Sequence, residues 1–286
     1  MSEELFAKPT EFDRPRLERL RSQLEGSVSN LNLTWVSNIG EPAIPTLVQL
    51  AGDKTLPVMS RNLALVVLGN ALRKARLWDH PDRRNNVIVP VLFDALGDQD
   101  ANVRGAAAYA SRFLYDRRLV PILEPLLQDK PAVQEQAVTA LGSNGGEAEV
   151  LPIAKLLFAT DNNLFRQSCV YALASICVRR DVDVAGILSN NAAGFGLDNR
   201  ANVQSGIGRF TEVQKLRDLV KQLNAKDIAA RKSAFEELQM QANVRIAFDP
   251  EADETARKQS IDRWRGYLLQ DFWRAPMSNT PSMPEQ

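Results

Sequence analysis

The 286-residue chain contains a single histidine, His80. Histidine is the commonest general base near neutral pH and the commonest metal ligand, so its scarcity removes most hydrolytic and metal-assisted chemistry from the candidates. His80 lies in WDHPDRR (78–84), where a site built with Asp79 and Asp82 would offer one imidazole and flexible carboxylates, a poor donor set for a metal. Cysteine is nearly absent too. Cys169 and Cys177 are eight residues apart, about 12 Å along one helix, too far for an intrahelical disulfide, and read as small core residues. Neither charge sign is in excess: 35 basic and 35 acidic groups cancel, and the pI of about 6.7 lies far below the value of roughly 9 typical of a nucleic-acid-binding domain. No apolar run approaches the roughly 18 residues of a membrane span, and MSEELFAKPTEF lacks the basic start and apolar run of a secretory signal. The expectation is a cytoplasmic protein without a membrane segment. Its glycine phrases GFG and GIG follow no strand and lack the spacing of a phosphate loop, so no cofactor is expected.

What the chain does have is a recurring phrase. IGEPAIPTLVQLAGD (39–53) returns as IVPVLFDALGD (88–98), LVPILEPLLQD (119–129) and VLPIAKLLFATD (150–161). Aligned on Pro45, Pro90, Pro121 and Pro152, the copies are 45, 31 and 31 residues apart, and each ends on an aspartate: Asp53, Asp98, Asp129 or Asp161. A period in the thirties without strand-like alternation marks a helical solenoid, in which each helix pair buries its apolar face only by stacking on its neighbours. Proline suits a first helical turn, where its missing N–H would be unpaired anyway, so each proline is expected to open a first helix. Leu47, Leu50 and Ala51, then Leu92, Ala95 and Leu96, then Leu123, Leu126 and Leu127 follow at helical spacing. Each aspartate is expected to end that helix and cap the next. The second helices are expected over 63–72, 103–114, 133–141 and 165–177.

These residues resemble the HEAT repeat family, in particular short bacterial HEAT-like repeats of the form IG-x-x-A-x-P-x-L, a turn aspartate, then V-R-x-x-A-x-x-A-L. IGEPAIPTL and DANVRGAAAYA carry the likeness; later units drift, with Gln134 and Gln204 at the arginine position and Ala230-Arg231 for valine-arginine. The resemblance extends over about 30–240 and implies an all-α, right-handed solenoid of about six stacked antiparallel helix pairs. The expected organisation is N-terminal capping helices over 1–42, repeats over 43–240, a capping helix over 241–274 and a disordered tail over 275–286. Within the repeats, 183–211 reads as one degraded unit and 211–239 as a fresh one. Asp249 and Pro250 are expected to open the last helix, with Ile261, Trp264 and Leu268 on one face.

Charge is uneven although it sums to zero. Residues 54–120 hold 11 basic and 6 acidic groups, a local excess of +5. If Val103, Ala106, Ala107, Ala110, Phe113 and Leu114 face the core, then Arg104, Ala108, Arg112 and Tyr115 point the other way. In HEAT-like stacks the second helices line the concave surface, so the resemblance makes Arg61, Arg73, Arg104, Arg112, Tyr115, Arg117 and Arg118 candidates for contact with a protein or peptide, with Trp78 as an aromatic anchor. The competing reading pairs Asp98 with Arg104, Asp161 with Arg166 and Asp227 with Arg231 as a ladder between repeats. No catalytic set is recognised, and the expected function is a non-enzymatic interaction scaffold. Nucleic-acid binding, as in HEAT-like alkylpurine DNA glycosylases, is the alternative. HEAT-like lyases that attach bilins to antenna proteins share only the repeat.

Overall fold

The computed structural model describes residues 5–25, 40–75, 84–196, 200–242 and 244–274. The expectations for Trp78, His80 and the 275–286 tail fall outside them. All regular elements among the described residues are helices, as the repeat period requires. The chain divides into two compact units, Met1–Gly146 and Glu147–Gln286.

In the first unit, α1 (Asp13–Glu25) buries Leu17, Leu20 and Leu24 and packs against the first helix pair. Thr10 and Asp13 close its start reciprocally: the Thr10 hydroxyl donates to Asp13 Oδ2 at 2.7 Å, and Asp13 N–H donates back to Thr10 Oγ1 at 3.3 Å. Three pairs follow: α2 (Ile44–Gly52) with α3 (Val58–Ala75), α4 (Asn85–Leu96) with α5 (Ala101–Ser111), and the short α6 (Val120–Leu123) with α7 (Pro131–Asn144). The leucines and alanines expected in the core are buried in all three first helices. α6 lasts barely one turn because Pro125, just past its last turn, has no N–H to continue the ladder, and 3-10 turns at Arg117–Leu119 and Glu124–Gln128 complete its path.

Pro45 and Pro121 fall in the first turn of their helices, and Pro152 is the third residue of its own. Pro90 departs from expectation by sitting inside α4. The extra leading turn is pinned by Asn85, which is buried and donates to Leu114 O at 3.3 Å and Asp116 Oδ2 at 3.1 Å. The turn aspartates also do less capping than expected. Asp100, not Asp98, accepts from the N–H groups of Asn102 and Val103 at the start of α5. Asn162, not Asp161, does so for the helix opening at Asn163.

The second unit pairs α8 (Val150–Ala159) with α9 (Asn163–Arg180) and α10 (Val184–Asn190) with α11 (Arg200–Gln222), followed by α12 (Ile228–Ala242) and α13 (Glu254–Gly266). α11 corrects the expected repeat count. Residues 211–222 do not start a new first helix; they continue the helix that opens at Arg200, so the described residues form five pairs plus α1, α12 and α13. No proline or turn signal interrupts the stretch, and Gly206 and Gly208 are tolerated inside it. α13 begins at Glu254 with Asp253 as its cap, because Asp249 and Pro250 belong to a preceding turn in which Ala252 N–H bonds Asp249 O. Ile261, Trp264 and Leu268 are buried together, as expected. Tyr267–Asp271 form one π-helical turn, and Tyr267 donates its hydroxyl to Ala242 O at 3.1 Å.

Candidate functional site: a groove across three second helices

The second helices of the first unit stack in one register. Asn62 and Val66 of α3 stand beside Asn102, Gly105 and Ala106 of α5, which stand beside Ala132, Val133 and Gln136 of α7, and together they line a groove of about 490 Å³. Small residues keep its floor low. The amides of Asn62, Asn102 and Gln136 give it groups that can both donate and accept, and Gln136 Oε1 is buried without a partner. Asp100 and Lys130 at one end bring one charge of each sign.

Tyr109 forms part of the wall, and its position depends on a glycine. A Cβ on Gly69 would lie 2.6 Å from Tyr109 Cε1 and 3.1 Å from the Ala110 Cα, so α3 and α5 touch here only because that atom is missing. The Tyr109 hydroxyl then donates to Asn70 Oδ1 at 2.7 Å. Sequence reasoning passed over Tyr109 and the three groove amides; the one available signal was a glycine in the middle of the apolar run 63–72.

At the turn end of the stack the arginines are structural, in a pattern offset from the expected one. Arg104 does not pair with Asp98. Its Nε and Nη2 hold both oxygens of Asp129 in the following repeat at 2.6 and 2.8 Å, and its Nη1 donates to Asp98 O and Gln99 O in its own turn at 2.8 and 2.9 Å. Asp98 is occupied by Arg61, which reaches forward one repeat to 2.5 Å. A helical side chain leans toward the N-terminus, which brings the guanidinium over the carbonyls five and six residues back, and its planar fork has donors left for the neighbouring repeat. The hydrogen bonds from Arg104 pull Asp129 below the ordinary carboxylate range. Burial opposes ionisation of Asp98, yet the bonds from Arg61 and Asp100 N–H outweigh it and lower its pKa.

The same backward reach recurs in the second unit. Arg166 donates to Thr160 O at 2.7 Å, Arg231 to Ala225 O and Lys226 O at 2.7 and 2.9 Å, and Arg257 to Ala252 O at 2.6 Å. Arg231 also bonds Pro250 O, and Asp227, its expected partner, instead caps α12. In the first unit, Gln134 in the arginine position also reaches back, donating to Leu127 O at 2.6 Å.

The remaining expected contact residues gather at the opposite end of the first unit's second helices. Arg118 is half exposed, bonds Asp116 at 2.9 and 2.7 Å and reaches Asn86 at 2.9 Å. Arg117 is exposed beside Gly146, and Tyr115 is half-buried with a left-handed φ of 55°. Ala108 is fully buried rather than facing outward, because α5 is packed by α3 on one side and α7 on the other. Arg112 follows the last residue of α5, with its guanidinium 5.7 Å from the Tyr109 ring centre and 5.6 Å from that of Phe113. Burial pushes its pKa down, and the nearby Arg73 charge acts in the same direction.

The cysteines lie on α9, buried and unlinked. Burial pushes the Cys177 thiol up to about 12 despite the adjacent Arg217, the opposite of what a nucleophile requires. Arg217 caps the end of α9, donating to Cys177 O and Val182 O at 3.1 Å each and pairing with Asp181 and Asp218. Among the described residues no three His, Cys, Asp or Glu side chains come together as a metal site, and no helix is long and apolar enough to cross a membrane.

Residues 89–174 match the HEAT repeats family, which spans α5 to α8 and parts of their neighbours. No curated protein matches the chain by sequence. Among solved structures, it is similar to a chain of the complex of CpcE and CpcF of phycocyanin lyase from Nostoc sp. PCC7120, with 20% identity, a TM-score of 0.43, and 87% of this chain and 94% of that one covered. It is also similar to an engineered protein, with 18% identity, a TM-score of 0.38, and 82% and 91% covered.

Proposed function

We propose that this chain, whose residues 89–174 are HEAT repeats, is a non-catalytic scaffold that holds a protein segment in the groove across α3, α5 and α7. The groove itself carries the reading. Its rigid walls are built from stacked helices, and its lining mixes small apolar side chains with three amides, so it offers a bound segment both a surface to pack on and hydrogen bonds. A nucleic-acid surface would present a continuous cationic stripe, whereas the Arg61 and Arg104 charges are consumed inside the stack and the groove carries Asp100 as well as Lys130.

Ala132 is exposed at the groove, so Ala132→Trp fills it without touching the core, and Lys155→Trp on α8 serves as a control distant in sequence. In nuclease-treated lysate, proteins retained by the parent chain and by Lys155→Trp are expected to be lost from Ala132→Trp. An unchanged set on Ala132→Trp would move the binding surface away from the groove. Retention that disappears with nuclease, and affinity that falls linearly in log salt, would replace the protein partner with a nucleic acid.

A further inference from the structure

The candidate arginines of the first unit differ in what holds them. Arg61, Arg104 and Arg118 all have carboxylate partners. Arg112 and Arg73 make no hydrogen bond or ion pair among the described residues. Arg112 is nonetheless held in place, since its guanidinium lies against two aromatic rings, which are themselves packed edge to face at 5.5 Å. Glu135 of α7 attracts it through the field without bonding it. None of its N–H groups is both buried and unpaired, so they meet solvent. This is a cation ordered by apolar contacts with its donors unspent, the arrangement in which a guanidinium loses least freedom on receiving a carboxylate.

Its position follows from the register. Gly69 packs on Tyr109 and Ala110, so one turn further on Arg73 of α3 comes level with Arg112 at the end of α5. Arg73 is exposed. Both cations therefore stand past Tyr109, at the opposite end of the groove from Asp100 and Lys130.

We propose that Arg112 and Arg73 form an anchor for a carboxylate side chain of the partner, so that the groove selects an acidic peptide segment with its Asp or Glu placed beside Tyr109. The assignment rests on the scaffold reading above and adds the chemistry of the partner. Charge complementarity supports an acidic peptide: residues 54–120 carry a +5 excess, and this pair is its unneutralised part at the groove. Phosphate of a nucleic acid is disfavoured because two cations beside an apolar and amide-lined channel do not make a backbone track.

The test begins by selecting random dodecapeptides displayed on phage against the full-length chain. The expected result is enrichment of peptides with Asp or Glu at one fixed position flanked by small or apolar residues. Binding of a selected peptide and its Glu→Gln form is then measured by titration against the parent, Arg112→Met and Arg73→Gln. Methionine keeps the stacking volume of Arg112 without the charge, and Arg73→Gln lies at an exposed position where folding is not at issue. The peptide Glu→Gln change should weaken binding about tenfold to the parent and hardly at all to Arg112→Met, the sign of a direct pair. Arg73→Gln should give a smaller loss. Enriched peptides with no acidic position, or a Glu→Gln loss that persists in both variants, would overturn the anchor and leave the scaffold standing. No enrichment at all, or displacement of the peptides by a single-stranded oligonucleotide, would overturn both.

Discussion

Replacing Arg104 by methionine is expected to cost far more than its position on a supposed contact face suggests. The guanidinium makes four hydrogen bonds, two of them to one carboxylate, and the paired side chains keep only 18% and 11% of their exposure. Removing one member of a well-buried ion pair costs about 3–5 kcal/mol, and partial access of water to Asp129 lowers this to about 3 kcal/mol. For a unit of this size that corresponds to a melting-temperature drop of roughly 10 °C. Arg118→Met is the internal reference. Its pair with Asp116 is 53% exposed on the arginine side, and screening by solvent reduces its contribution to well under about 1 kcal/mol. Both variants are compared with the parent by thermal unfolding followed by circular dichroism at 222 nm. The pH dependence has a definite sign. Asp129 is depressed in the folded chain, so the stability from its pair is present above the unfolded aspartate pKa near about 3.9 and is lost as pH falls through the lower folded value. The gap between parent and Arg104→Met should therefore be full at pH 7 and narrow below about pH 4, without closing, because the bonds to Asp98 O and Gln99 O do not titrate. Equal shifts for Arg104→Met and Arg118→Met at pH 7, or a gap unchanged down to pH 3, would refute the reasoning.

Gly69→Ala should destabilise the first unit by about 2 kcal/mol, since the new methyl displaces the Tyr109 ring and meets the Ala110 backbone. Adding Tyr109→Ala to it should cost less than the sum of the single changes, and strict additivity in chemical denaturation would show that the two residues do not press on each other. Neither cysteine should react with a thiol reagent at pH 8 until denaturant is added, because both are buried and the Cys177 thiol is pushed up to about 12; rapid labelling of the folded chain would contradict that burial.

Much of the architecture was legible from local pattern. Leu47, Leu92 and Leu123 each follow their proline by two residues, and a helix places all three on the buried side whatever the neighbouring repeats contribute. Ile261, Trp264 and Leu268 share a face for the same reason. The boundaries failed where a longer-range contact outweighed a local signal, or where no local signal marked a break. Pro90 reads as a helix start, yet Asn85 anchors to Leu114 O and Asp116 and adds a turn before it. Residues 211–222 read as a new repeat, yet nothing in the chain stops α11 from running through.

The division is sharpest at the arginines, which look alike in the sequence. Composition and spacing alone determined that the chain is helical and repetitive, and that cationic side chains cluster within residues 54–120. The tertiary structure decided which of them are consumed. Arg104 reaches a carboxylate 25 residues away and Arg61 one 37 away, while Arg112 finds only aromatic rings. Helical periodicity is set by bonds four residues apart and is therefore written locally. The partner of a guanidinium depends on how one repeat stacks on the next, a distance in space that no spacing along the chain records.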